Sequence, residues 1–209
     1  MGRAAMRTQM KWEMIMIKNK FAADNAAMLL IDHQVGTMGW VKSIPFEEMK
    51  RNALILANVA KILKLPTVLT SSMEEHAHGP LLAEFESILP KEFAARVKRF
   101  GIVNAMDDEN FAAAVRSLGR KKLIIAGVTN DVCTVYPALS LVEAGYEVQV
   151  VADAGGSPSK MADDIALRRM EHAGVTLTST IQLVAGVAGS WTTPEGGQLV
   201  QVIMPALQS

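Results

Sequence analysis

At 209 residues, half of them apolar and a fifth charged, the chain is long enough for one domain with a substantial core. Its 21 basic and 21 acidic side chains balance, so no excess of positive charge marks it for nucleic acid or an anionic membrane. One cysteine excludes an intrachain disulfide and a cysteine-based zinc site, and suits a reducing, cytoplasmic compartment.

The first twenty residues hold five methionines, five basic residues and one acid. MIMI is too short an apolar core for a signal peptide, and no membrane-spanning run follows anywhere. Residues 1–20 therefore read as a mobile tail, residues 21–190 as the domain and residues 191–209 as a C-terminal tail.

Within the domain, strand-like and helix-like segments alternate. Ala27 to Asp32 (AMLLID) is a continuous apolar run that a parallel sheet would bury. Pro45 to Leu65 carries apolar residues at helical spacing, with prolines near its start and just beyond its end. Thr67 to Ser71 is a second strand, Pro80 to Leu89 a shorter helix closed by Pro90, and Arg96 to Phe100 a third strand whose charges imply partial burial. A helix from Glu109 to Leu118 precedes the fourth strand, Lys122 to Val128 (KLIIAGV).

A helical stretch begins at Val132 and stops at Gly145, with Pro137 placed to distort its first turns. Glu147 to Ala152 is a fifth strand, Lys160 to Ala173 an amphipathic helix, Val175 to Thr180 a sixth strand, and Gln182 to Val187 a last short helix. The alternation predicts a three-layer α/β/α sandwich around a six-stranded, mainly parallel sheet. Beyond a Pro/Gly turn, the terminal run LVQVIM can pack on its own domain or on a neighbouring subunit.

Open α/β sheets bind ligands at the carboxyl ends of their strands, and three such ends carry reactive groups. The first delivers Asp32, an acid costly to bury without a partner or a task. The third delivers Lys98 and Arg99. After the fourth comes Cys133, where the unpaired N–H groups of a helix start favour thiolate over thiol. A base, a cation and a thiol converging there would make an activated nucleophile. His76 and His78 read as solvated loop residues, His33 points away from Asp32 along the strand, and no metal site is assigned. Trp40 and Met38 follow Asp32 and can wall a substrate or simply pack.

LLIDHQ, then RFGIVNAMDDENF, then LIIAGVTNDVC with PALSLVEAGYEVQVVADA, together resemble the isochorismatase-like cysteine hydrolase superfamily, in its YcaC-related branch, from about residue 25 to residue 187. The resemblance implies an Asp–Lys–Cys triad carried by Asp32, Cys133 and a basic residue. Arg99 falls at the basic position, with Lys98 as the adjacent alternative; arginine cannot readily donate a proton, so it would hold the aspartate instead. It also implies a cis peptide at Val128–Thr129, an oxyanion hole from the backbone N–H groups of Thr129 and Cys133, and a contact altered by Asn130. The activity implied is cofactor-independent hydrolysis of a C–N bond in a small carbonyl compound through a thioester, by a homo-oligomer. Two other readings of the same residues are a catalytically weak scaffold binding a metabolite or partner, and a redox-sensing thiol.

Overall fold

The computed structural model describes residues 20–208; the tail assigned to residues 1–20 lies outside them except for Lys20. Six strands form one wholly parallel sheet. They are β1 (Ala26–Ile31), β2 (Thr67–Ser72), β3 (Val97–Arg99), β4 (Lys122–Gly127), β5 (Glu147–Val151) and β6 (Thr176–Thr178), in the order β3-β2-β1-β4-β5-β6. Each lies where the apolar runs place it, to within two residues at either end. The helices are α1 (Val35–Gly39), α2 (Phe46–Leu63), α3 (Glu84–Ile88), α4 (Pro90–Ala94), α5 (Glu109–Ser117), α6 (Val135–Glu143), α7 (Lys160–His172), α8 (Thr180–Ala188) and α9 (Pro194–Leu207).

Strand alternation builds two cores from one strand. Ala26, Met28 and Leu30 of β1 face a cluster that includes Met49 and Leu56 of α2, Leu183 and Val184 of α8, and Leu199 and Ile203 of α9. Ala27, Leu29 and Ile31 face the other side, against Phe111 and Val115 of α5, Leu141 of α6 and Met170 of α7. β1 is therefore covered on both faces, and its unbroken apolar run follows from that. The chain order reverses between β1 and β4, which opens a crevice beyond their carboxyl ends.

Two elements depart from the sequence reading, and a third takes one of the two placements it leaves open. Pro90 does not merely end a helix: its missing N–H costs nothing at a first helical position, and it opens α4. The α-helix expected from Val132 starts at Val135, preceded by a π-helical turn over Asn130–Thr134. Pro137 has no N–H to return to the carbonyl four residues back, which is Cys133, so the expected distortion falls on the nucleophile turn. The terminal run becomes α9, capped by the Thr193 hydroxyl on Gly196 N and packed on α2 of the same chain. Among the described residues, no helix is long and apolar enough to cross a membrane.

Candidate active site

Asp32 is the first residue past β1, in the left-handed region at φ +56°. Aspartate tolerates that conformation better than a bulky residue does, and the turn carries its carboxylate towards β4. The residue is buried, and so is Arg99 at the end of β3. Arg99 Nη2 donates to Asp32 Oδ1 at 2.5 Å and to Oδ2 as well. The rest of the guanidinium is also committed: Nε donates to Thr70 Oγ1 at 3.1 Å, and Nη1 to the Ile102 carbonyl at 2.7 Å. Thr70 Oγ1 in turn donates to the Val97 carbonyl at 2.7 Å, so β2 and β3 hold the cation jointly.

Lys98 points the other way, as alternation on a strand requires. Its ammonium lies 2.9 Å from Glu74 Oε2, and Arg96 bonds the same carboxylate at 2.7 Å. That pairing, led by the Arg96 hydrogen bond, pulls the Glu74 carboxyl down to about 2. Of the two basic residues, Arg99 is the one brought to Asp32.

Cys133 is half-buried, and its thiol hydrogen-bonds the Asp32 carboxylate. Burial pushes the thiol well above the ordinary cysteine range, and the Asp32 charge and hydrogen bond push in the same direction; the Arg99 charge and the Thr129 backbone N–H oppose them. These influences oppose the preference for thiolate that a helix start confers. The helix N-terminus does not decide the matter, because the sulfur sits in the π-helical turn against a carboxylate. Asp32 is also raised, by burial first, while Arg99 and the thiol pull it down. The resting pair is thus a thiol next to a carboxyl group of raised proton affinity.

The turn leading to the sulfur is tied from several sides. The Val128–Thr129 peptide is cis. Asn130 N donates to the Gly156 carbonyl at 2.7 Å, and Asn130 Nδ2 to the Ala152 carbonyl and Asp163 Oδ1, both at 3.1 Å. Ser157 adds a 2.8 Å bond to the same Asp163 oxygen. A Cβ on Gly155 would lie 2.3 Å from the Gly127 carbonyl and 2.4 Å from Asn130 Oδ1, so this approach admits only glycine.

Among the residues outside the expected constellation, Met38 packs in the core, while Trp40 remains exposed. His33 is buried, with Nε2 on the Ala154 carbonyl at 2.7 Å and burial lowering it to about 4. His76 is exposed, as a solvated loop residue should be, whereas His78 departs from that expectation: it is half-buried, edge-on to Trp40 with centroids 5.1 Å apart. Sequence reasoning also missed Thr70, Gln34 and Asp163. Gln34 bridges the ends of β1 and β2 by bonding both Ser72 N and the Ser72 carbonyl. Polar residues at the end of an apolar strand were the available signal for Thr70 and Gln34. Among the described residues, no cluster of three or more His, Cys, Asp or Glu side chains could hold a metal ion.

A family model, the isochorismatase domain, matches residues 26–182. The "Probable hydrolase YcaC" of Escherichia coli (strain K12) is 39% identical over 168 residues, 80% of each chain. A solved structure of YcaC from Pseudomonas aeruginosa, with hexane-2,5-diol and covalent acrylamide, superposes with a TM-score of 0.85 at 36% identity, covering 91% of this chain and 94% of that one. The Escherichia coli YcaC structure, an octameric hydrolase of unknown specificity, gives the same TM-score and identity over 91% and 93%. The domain match and the 39% identity show that the chain belongs to the isochorismatase family of hydrolases.

Proposed function

We propose that the protein hydrolyses the C–N bond of a small amide, with Cys133 as nucleophile, Asp32 as proton carrier and Arg99 as the cation that holds Asp32. The observation that carries this reading is the thiol–carboxylate–guanidinium chain at the crevice where the strand order reverses. The covalent acrylamide on the Pseudomonas aeruginosa relative supports it, because acrylamide bonds to nucleophiles and Cys133 is the group here that would attack it.

Cys133 Sγ attacks the carbonyl carbon as its proton passes to Asp32. A carboxyl group whose proton affinity is raised by burial is a better acceptor than an exposed one. The oxyanion is received by the Thr129 and Cys133 amides, each such donor being worth about 3–4 kcal/mol in acyl transfer. Asp32 returns the proton to the leaving amine as the C–N bond breaks, leaving a thioester. It then takes a proton from water as the water adds to that thioester, and the acid departs with the thiol restored. Arg99, bound at all three of its nitrogen positions, stabilises the negative form of Asp32 and gives up no proton.

The test is amine release from a panel of small amides, with Cys133→Ala as blank and mass spectrometry for the acyl adduct. Turnover that survives Cys133→Ala would sink the reading. The raised thiol and the tightly held ion pair also suit a binding scaffold. Saturable binding of panel members, with no adduct on any, would select that alternative. The octameric state of the Escherichia coli relative supports a homo-oligomer for this chain as well.

A further inference from the structure

We infer that the solvent face of α7 is a contact between two copies of this chain, which meet there antiparallel about a two-fold axis near Ile165. The inference rests on the homo-oligomer proposed above and names a surface for it.

The buried side of α7 is narrow. Ala166 and Met170 pack in the core, and Asp163 turns inward, accepting from Asn130 Nδ2 at 3.1 Å and Ser157 Oγ at 2.8 Å. At about 100° per residue, Met161, Ile165, Arg168 and His172 then share the opposite side and point straight out. A surface helix ordinarily keeps charged and polar residues there, yet Met161 is 74% exposed and Ile165 53%. The patch continues towards α6. Arg169 lies over the Tyr136 ring, 5.2 Å from its centroid, and Val132 precedes Tyr136 by four residues, both of them exposed. Large apolar side chains gathered on adjoining elements make a patch, unlike single exposed residues, which need no explanation.

The charges beside Ile165 say what covers it. Asp164 precedes it and Arg168 follows it on one flank of the helix. Asp164 Oδ1 accepts from Lys160 Nζ, while the Arg168 guanidinium donates to the Asp164 carbonyl at 3.2 Å rather than to its carboxylate. An axis crossing α7 near Ala166 reverses the second helix. Ile165 then packs on its own copy, and each Asp164 faces the partner's Arg168. A two-fold contact needs a surface complementary to itself in this way. Nucleic acid or an anionic membrane would instead call for bases without acids. The same helix holds the nucleophile turn through Asp163, so the contact backs an element that positions Cys133.

Sedimentation velocity at micromolar concentration tests this with wild type, Asp164→Arg, Arg168→Asp and an equimolar mixture of the two variants. Each variant alone sets like charges together at both places across the axis. Its self-association should weaken by about tenfold or more, giving an assembly smaller than wild type. The mixture restores opposite charges at both places, so the wild-type size should return, which also shows that both variants are folded. Wild-type size for each variant alone, or a mixture that stays small, would overturn the inference and leave the homo-oligomer to another surface. A monomeric wild type would overturn both.

Discussion

Arg99 and Lys98 are neighbours in sequence and opposites in energy. Arg99 is 1% exposed and ion-paired to an equally buried Asp32, while the Lys98 side chain is 49% exposed beside Glu74. Removing one partner of a buried pair leaves an uncompensated charge, so Arg99→Met should cost about 3–5 kcal/mol; Lys98→Ala should cost under about 1 kcal/mol. Urea denaturation checks both, and Asp32→Asn added to Arg99→Met should recover part of the loss. The two candidates could not be separated by reading the chain, because their difference is one step of strand alternation. What settles it is the register of β3 against β2, which sets Arg99 beside Ser72 and its guanidinium on Thr70.

Elements were legible where a run of apolar side chains had to be buried on both faces, as in β1, β4 and β5. They were less so where distant contacts decide. The nucleophile turn is a π-helical turn rather than the start of an α-helix, held by Asp163 and Gly156 from well beyond it, and no local pattern announces those partners. The turn just after β1 carries a further consequence. His33 ordinarily titrates near 6.5 but is lowered to about 4 by burial, with its ring against Phe85. The unfolded chain therefore takes up this proton before the folded one does. The stability it confers is complete above about pH 6.5 and is lost progressively as pH falls towards 4, amounting to about 3 kcal/mol. Unfolding midpoints at neutral pH and near pH 4.5 should drop further for wild type than for His33→Gln; equal drops would contradict the assignment.

At the scale of the whole molecule, the parallel sheet and its reversal of order gather the ends of β1, β3 and β4 at one edge, which is why three residues spread over a hundred positions meet. The βαβ alternation was sufficient to anticipate that layering, whereas the Pro/Gly stretch at residues 194–197, which reads as a turn, is the first turn of α9, and of the two placements the sequence leaves for that segment the helix takes the one on α2. Large apolar side chains remain exposed, among them Trp40, Phe100 and Val103. Sedimentation should accordingly find an assembly larger than a monomer at micromolar concentration; a monomer would contradict the homo-oligomer proposed above. The central claim is that Asp32 takes the proton of Cys133, and the most direct measurement is the alkylation rate of Cys133 at neutral pH in wild type and Asp32→Asn. Removing the carboxylate charge by itself should favour thiolate, since that charge helps to raise the thiol. If Asp32 is the base, the rate must nevertheless fall, by about a hundredfold or more on the scale of general-base effects. A rate that is unchanged or faster in Asp32→Asn would contradict the account.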